Sequence, residues 1–300
     1  MAVSAGHSLT LMVVHAHPDD EVIGTGGVMA RYAAEGQRVV CVTCTGGEVG
    51  EIVRPELDTP ENRADLGGLR REELARALSH LGRIEHHFLG YRDSGMIGTA
   101  DNDDPRCLWQ ADLDEATGRL VGLVQLTRPD VLVSYNDFGG YGHPDHIRAA
   151  LLTKAAFARA GDPVAGEPGL EPWAPAKLYE MVMEIDRREE MTRMLADRGI
   201  TGWWDPPPGE TGEQRAEREG WLAQMAAAQG PITTRVDVGG FLEAKHGALG
   251  EHRSQIGPDS PFLALTPEEW RLVAPTEAYT LRESRVGVRI PEDDLFAGLR

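Results

Sequence analysis

Residues 13–27 read VVHAHPDDEVIGTGG, and residues 136–150 read NDFGGYGHPDHIRAA. Each follows an apolar, strand-like run, LTLMVVHA (9–16) and DVLVSY (130–135), and each leads into a helical pattern. The tripeptide HPD therefore occurs twice, both times at a strand-to-helix junction. Open α/β sheets gather their ligands at the carboxyl ends of strands, so these junctions bear on fold and site together. Working outward, RVVCVTCT (38–45) has the composition of a strand buried on both faces, and HHFLGY (86–91) is a weaker version. Helical patterns lie between them. VMARYAAEG (28–36) and RREELARALSHLG (70–82) each end in glycine, DEATGRLVGLVQL (114–126) follows, and Pro144 opens a helix carrying HIRAALLTKAAFARAG. Strand, helix and strand in repetition imply an α/β fold: a Rossmann-like, mostly parallel sheet flanked by helices.

From residue 161 the texture changes. GDPVAGEPGLEPWAPAK is rich in Pro and Gly and reads as a junction. The expected organisation is a metal-binding catalytic core over 1–160 and a smaller C-terminal lobe, 161–300, packed on it and selecting substrate. Within the lobe, KLYEMVMEI (177–185) and TTRVDV (233–238) read as strands, and EQRAEREGWLAQMAAAQ (213–229) and FLEAKHGALGEH (241–252) as helices. TGWWDPPPGETGE (201–213) is a loop whose Trp203 and Trp204 line a lid or anchor it.

The chain has 300 residues and a formal net charge of −18. That balance argues against a nucleic-acid partner, since such binding neutralises phosphates. Only Lys154, Lys177 and Lys245 are lysines. Cys41 and Cys44 lie in a strand pattern with no second pair to complete a zinc ribbon, and they do not open a helix as a redox CxxC does. With Cys107 they read as buried free thiols. No apolar run is long enough to span a bilayer, and residues 1–12 lack a basic segment followed by a signal-length apolar stretch. A cytoplasmic protein with no membrane partner is expected, with homo-oligomerisation left open.

His17 and Asp20 are three apart, and a helical turn starting at Pro18 brings both to one face. Such a pair suits a divalent metal. Asp19, between them, is placed to meet water at the metal. Alone, the stretch is equally a charged loop whose acids favour a helix dipole. The second stretch changes the balance. It sets His143, Asp145 and His146 beside Tyr141, after Gly139 and Gly140, which permit a tight turn. His146 is the natural third ligand. Two histidines and a carboxylate leave a coordination position open, as catalytic sites require. The same set forms the facial triad of non-haem iron oxygenases, but those sit on β-barrels by fold analogy. A metal- or glycan-binding protein without catalysis would need no base at Asp19. His15 reads as a packing residue, and Glu21 and Glu48 as braces. His86, His87, His246 and His252 read as structural or exposed. Gly24, Gly26 and Gly27 lack the full dinucleotide spacing.

His17-Pro-Asp19-Asp20-Glu21 and Gly142-His143-Pro-Asp145-His146 resemble the motifs of the LmbE-like, or PIG-L, zinc-dependent N-deacetylases. The likeness runs through TGGEVGE (45–51), GGLRREEL (67–74), YRDSGM (91–96) and GGYGHPDH (139–146). It continues more loosely into HRSQI (252–256) and SRVGVRIPEDDLFAGL (284–299). Within the family the chain is most similar to the mycothiol-pathway members, a deacetylase and a conjugate amidase. Val22 departs from the small hydroxyl residue those carry after HPDDE, which points toward a paralogue such as a secondary-metabolite deacetylase. The resemblance implies that His17, Asp20 and His146 hold zinc, with ferrous iron the alternative, and that Asp19 is the general base. It implies that His143, oriented by Asp145, is the acid or electrostatic partner near the leaving amine, and that Tyr141 binds the oxyanion. Arg70 and Asp93 would contact the polar substrate. The implied reaction removes an N-acyl group, first of all N-acetyl, from an amino sugar, a GlcNAc-inositol compound or a mycothiol-type thiol conjugate.

Overall fold

The computed structural model describes residues 8–163, 165, 169–184, 187–202, 204–206 and 209–300. Seven strands form one sheet: β1 (Thr10–His15), β2 (Arg38–Thr45), β3 (Ile84–Tyr91), β4 (Val131–Ser134), β5 (Lys177–Val182), β6 (Thr234–Asp237) and β7 (Thr276–Ser284). Their order is β3-β2-β1-β4-β5-β7-β6. The first five run parallel, and β7 is antiparallel to both of its neighbours. The sheet is thus mixed α/β and mostly parallel, as the alternation of elements implies. Strand order reverses between β1 and β4, so the crevice beyond their carboxyl ends is the topological switch point where such sheets bind ligands. Both HPD motifs begin there.

β1 is buried on both sides, and its residues divide by parity. Leu11 and Val13 join an apolar cluster with Val28, Met29, Leu74 and Leu249, while Met12 and Val14 join another with Val121, Val124, Leu132 and Leu152. Period-two alternation of side chains makes this division unavoidable in a two-faced strand. Six helices of ten residues or more occur among the described residues. α1 (Asp20–Ala34), α2 (Leu66–Leu81) and α6 (Leu242–Glu251) contribute to the first cluster. α3 (Leu113–Thr127) and α4 (Pro144–Arg159) contribute to the second. α5 (Gly212–Ala228) is exposed over most of its length.

α1 starts eight residues before the sequence pattern predicts, because its GTGG segment is helical. Glycine is a poor helix former, but here close packing overrides propensity. A Cβ on Gly27 would come within 2.7 Å of the Val238 Cβ and 2.9 Å of Glu277 Oε1. Glu277 also enters the helix ladder, accepting from the backbone N–H groups of Gly27 and Val28 at 2.8 and 2.9 Å. Lys245 closes the arrangement, donating to Glu277 at 2.6 Å and to the Ile23 carbonyl at 3.0 Å.

The sheet continues past residue 160, since β5, β6 and β7 all belong to it. A smaller separate cluster, Met191, Leu195, Trp204, Leu265 and Val273, lies wholly within the C-terminal part. Trp204 anchors it, with its indole N–H donating to Thr192 Oγ1 at 3.1 Å; Trp203 lies outside the described residues. The tail is fixed at the opposite end of β5 from the switch point, where buried Lys177 donates to Glu292 at 2.7 Å. Cys41, Cys44 and Cys107 are free and buried, as expected, with Cys41 and Cys44 in opposite apolar clusters across β2. No helix among the described residues is long and apolar enough to cross a membrane.

Candidate metal centre

β1 delivers His17 and α1 begins at Asp20, so Asp19 occupies the junction. β4 delivers a glycine-rich turn, and Pro144 starts α4 with His143 as its N-cap. Pro at the first helical position is favourable because its missing N–H would be unpaired there anyway. Three atoms from these two junctions converge. His17 Nδ1 lies 3.3 Å from Asp20 Oδ2, His146 Nε2 lies 3.3 Å from the same oxygen, and the two nitrogens are 3.3 Å apart. Tetrahedral coordination with bonds of about 2.0–2.1 Å places neighbouring ligand atoms about 3.3–3.4 Å apart. The triangle has the dimensions of one face of such a site, and its donor types are those of a zinc or iron centre.

The far side of each imidazole is also occupied. His146 Nδ1 lies 3.1 Å from the Gly139 carbonyl, and His17 Nε2 lies 3.2 Å from Asp145 Oδ2 and 3.5 Å from Asp93 Oδ1. Donation through these distal N–H groups fixes the tautomer and leaves His17 Nδ1 and His146 Nε2 with lone pairs turned inward. Other metal-like groupings, His17 with His143 and His146 or with Asp93 and Asp145, are close enough to be considered. The second of these uses the His17 nitrogen that its carboxylate acceptors already engage. Gly139 must be glycine: its φ is 66°, and a Cβ there would meet the Ile147 backbone nitrogen at 2.7 Å.

The Asp145 carboxylate serves His17 and is held by the Ser94 backbone N–H at 2.9 Å and the Ser94 hydroxyl. His143 is held by the Asp145 backbone N–H, which donates to its Nδ1 at 3.1 Å. That bond leaves the proton of neutral His143 on Nε2. Burial, together with His17 and His146, lowers the His143 pKa to about 3. Ser94 carried no sequence signal beyond its place in YRDSGM.

Asp19 has a backbone conformation rare outside glycine, with φ 124° and ψ −33°. Holding it costs on the order of 1–3 kcal/mol. Its side chain forms no cap to α1. Burial is the main cause lifting its carboxyl to about 6, against the pull of Arg70, whose Nη2 lies 3.4 Å from Asp19 Oδ2. Asp20 is held well below the usual carboxylate range: burial opposes the shift, but His146 and His17 outweigh it. Arg70 is buried and donates to the carbonyls of Gly47 and Pro18 at 2.9 and 2.7 Å. Asp93 accepts from the backbone N–H groups of Gly95 and Val49 at 2.8 and 3.3 Å, and its own N–H donates to Glu48 at 2.9 Å. Both residues therefore sit at the centre, but much of their bonding goes to the loops around it.

Tyr141 is 38 % exposed and stands edge-on to His146 at 4.8 Å and His143 at 6.2 Å. The backbone carbonyl of Tyr141 accepts from the Trp221 indole of α5 at 2.8 Å. Tyr135, missed in the sequence, stacks on His146 at 4.3 Å and accepts the Ala16 N–H at 3.0 Å. Its only sequence signal is its place at the end of β4. Four other histidines have partners away from this triangle. His15 is buried against Thr25 at 2.9 Å, His86 contacts Thr43 at 2.9 Å, and His87 contacts Glu85 at 2.8 Å. His246 faces the Leu263 carbonyl at 3.4 Å.

The profile of the GlcNAc-PI de-N-acetylase (PIG-L) family matches residues 12–157, a span that includes both HPD motifs. The 1D-myo-inositol 2-acetamido-2-deoxy-alpha-D-glucopyranoside deacetylase 2 of Frankia casuarinae is 44% identical over 302 residues, covering 96% of this chain and 93% of its own. The chain belongs to the PIG-L family. The deacetylase of the same description from Thermobifida fusca is 41% identical over 301 residues, covering 96% of the chain and 98% of its own. Among solved structures, the N,N'-diacetylchitobiose deacetylase of Pyrococcus horikoshii superposes with a TM-score of 0.60 at 20% identity, covering 91% of this chain and 83% of its own. GalB, the 4-carboxy-2-hydroxymuconate hydratase of Pseudomonas putida, superposes with a TM-score of 0.62 at 19% identity, covering 94% of this chain and 99% of its own. A hydratase and a deacetylase share this fold, so the fold alone does not choose the reaction.

Proposed function

We propose that this chain is a zinc-dependent N-deacetylase that hydrolyses the acetamide of an amino sugar joined to inositol, or of a close relative. The observation that carries the reading is the 3.3 Å triangle of His17, Asp20 and His146 with the carboxylate of Asp19, which caps no helix N–H, at the same junction. The acetylated substrate named for the relatives supplies the substrate class. Those three side chains would hold the metal. When bound, a divalent metal supplies Lewis acidity toward the amide carbonyl and lowers the pKa of water toward about 7.

The protein's own groups supply the remaining chemistry. Asp19 takes the proton of the attacking water, a task suited to a carboxylate whose pKa is raised by burial. The Tyr141 hydroxyl donates to the developing oxyanion. His143, neutral with its proton on Nε2, faces the leaving nitrogen as donor or electrostatic partner. Asp145 and Asp93 orient His17. Cleavage releases a free amine and acetate. Arg70 and Asp93 remain the polar contacts proposed for the sugar, and residues 161–300 the part proposed to select it.

Val22, the departure from the small hydroxyl residue, is fully buried in the apolar cluster beneath α1. The test is amine release by the zinc-loaded chain from N-acetylglucosaminyl-inositol, N-acetylglucosamine and a mycothiol conjugate, alongside Asp19→Asn. Release from the inositol glycoside, lost in Asp19→Asn with zinc retained, supports the reading. Zinc bound with no amine released from any of the three overturns it.

A further inference from the structure

The strained junction at Asp19 is held from behind by Arg70 and by a buried pair, Glu21 and His252, to which the proposed reaction assigns no role. The peptide between Pro18 and Asp19 is gripped at both ends. Its carbonyl accepts from Arg70 Nη2 at 2.7 Å, and its N–H donates to Glu21 Oε2 at 2.8 Å. With the Asp19 carbonyl held by the Val22 and Ile23 N–H groups of α1, fixing that peptide plane sets the rotation about the Asp19 N–Cα bond, which is the φ of 124°. The other oxygen of Glu21 meets His252 Nε2 at 2.8 Å, and neither side chain has any exposed surface. His252 Nδ1 has no hydrogen-bond partner among the described residues.

His252 lies 231 residues from Glu21, at the end of α6, and its segment is anchored independently of the metal centre. The Ser254 backbone N–H and hydroxyl donate to Glu73 of α2 at 2.8 and 2.6 Å. The Val53 N–H donates to the Ser254 carbonyl at 2.8 Å. Glu73 and Ser254 are both buried. The dyad therefore joins a fixed point in the C-terminal part to the backbone of Asp19. An aspartate before a helix normally spends its carboxylate on the first-turn N–H groups, whereas the Asp19 side chain makes no cap and the Val22 N–H goes to the Asp19 backbone carbonyl at 3.1 Å.

We propose that Glu21 and His252 are positioning residues for Asp19, a buried dyad that holds the peptide before it and so aims its carboxylate at the reacting centre. The proposal rests on the hydrolytic reading of the site, and its test separates the two. His252→Met removes the donor to Glu21 at similar volume, whereas His252→Gln keeps an N–H. Outer partners of a metal site commonly change activity roughly 10–100-fold, and His252→Met is expected to lower kcat by that range with KM within about twofold. His252→Gln and Glu21→Gln, which preserve hydrogen bonding to the dyad partner and to Asp19 N–H, recover most of the loss.

Zinc stoichiometry stays at the wild-type value in each variant. A crystal structure of His252→Met shows the Asp19 φ released from its positive value, a readout independent of activity. Lys177→Met, which breaks another buried ion pair at the far end of β5, lowers Tm and leaves kcat unchanged. If His252→Met does not fold, Glu21→Asp, which shortens the reach to Asp19 N–H, gives the same loss of kcat. Wild-type kcat in a folded His252→Met, an unaltered Asp19 φ, or zinc lost in step with kcat overturns the proposal. A wild-type chain that releases no amine overturns the hydrolytic reading instead, while the φ readout still decides whether the dyad holds the backbone.

Discussion

The Asp145 carboxylate lies 3.2 Å from His17 Nε2, joining the second HPD motif to the first across 128 positions of sequence. Its other partner is Ser94, which follows β3, so one buried carboxylate ties three strand ends together. Asp145→Asn keeps the volume but turns half of the group into a donor facing His17 and Ser94. Zinc affinity is expected to fall about 10–100-fold, measured by competition with a chromogenic chelator. Unchanged affinity would show that the pairing does not tune the ligand.

Tyr141→Phe tests the oxyanion role. Loss of one such donor costs roughly 10²–10³ in kcat, and steady-state kinetics should place the loss in kcat more than in KM. The phenol is partly exposed and anchors its loop through its backbone carbonyl to Trp221, so the fold should tolerate the change. A loss confined to KM would assign Tyr141 to substrate binding.

Removal of the metal by dialysis against a chelator should abolish amine release while the far-ultraviolet circular dichroism stays unchanged. Two extensive apolar clusters on the faces of the sheet hold the fold without it. Tm should fall, since a ligand that binds only the native state stabilises it by about 2.7 kcal/mol at a hundred times its Kd. Collapse of the dichroism on chelation would make the metal structural.

Gly27→Ala tests the packing of α1 against the C-terminal strands. The new methyl would overlap Val238 and Glu277. Overpacking typically costs about 1–3 kcal/mol, to be read from urea denaturation. A neutral or stabilising outcome would mean that the helix and β7 can separate without penalty.

The two half-sites were legible because each HPD motif lies between a strand and the helix after it, and β1 and β4 are neighbours in the sheet. Local sequence also carried the helix limits at Gly36 and Gly82 and the proline start of α4. Long-range pairings were not legible. Nothing near Asp145 says which histidine its carboxylate reaches, and nothing near Glu21 names His252. β7 went unread because TEAYTLRES carries charges at Glu277, Arg282 and Glu283. The structure shows that Glu277 is buried because it completes α1 and pairs with Lys245. GTGG read as loop material because glycine's helix propensity is poor, while its helical use depends on a strand 250 residues away.

Cys41 and Cys44 project to opposite sides of β2 and are wholly shielded, as is Cys107. No small local fluctuation uncovers the two β2 thiols together, since each is covered by a different layer of helices. Their reaction with a thiol reagent therefore waits for the layers to part. The labelling rate in native buffer becomes a clock for global opening, readable without a single engineered probe.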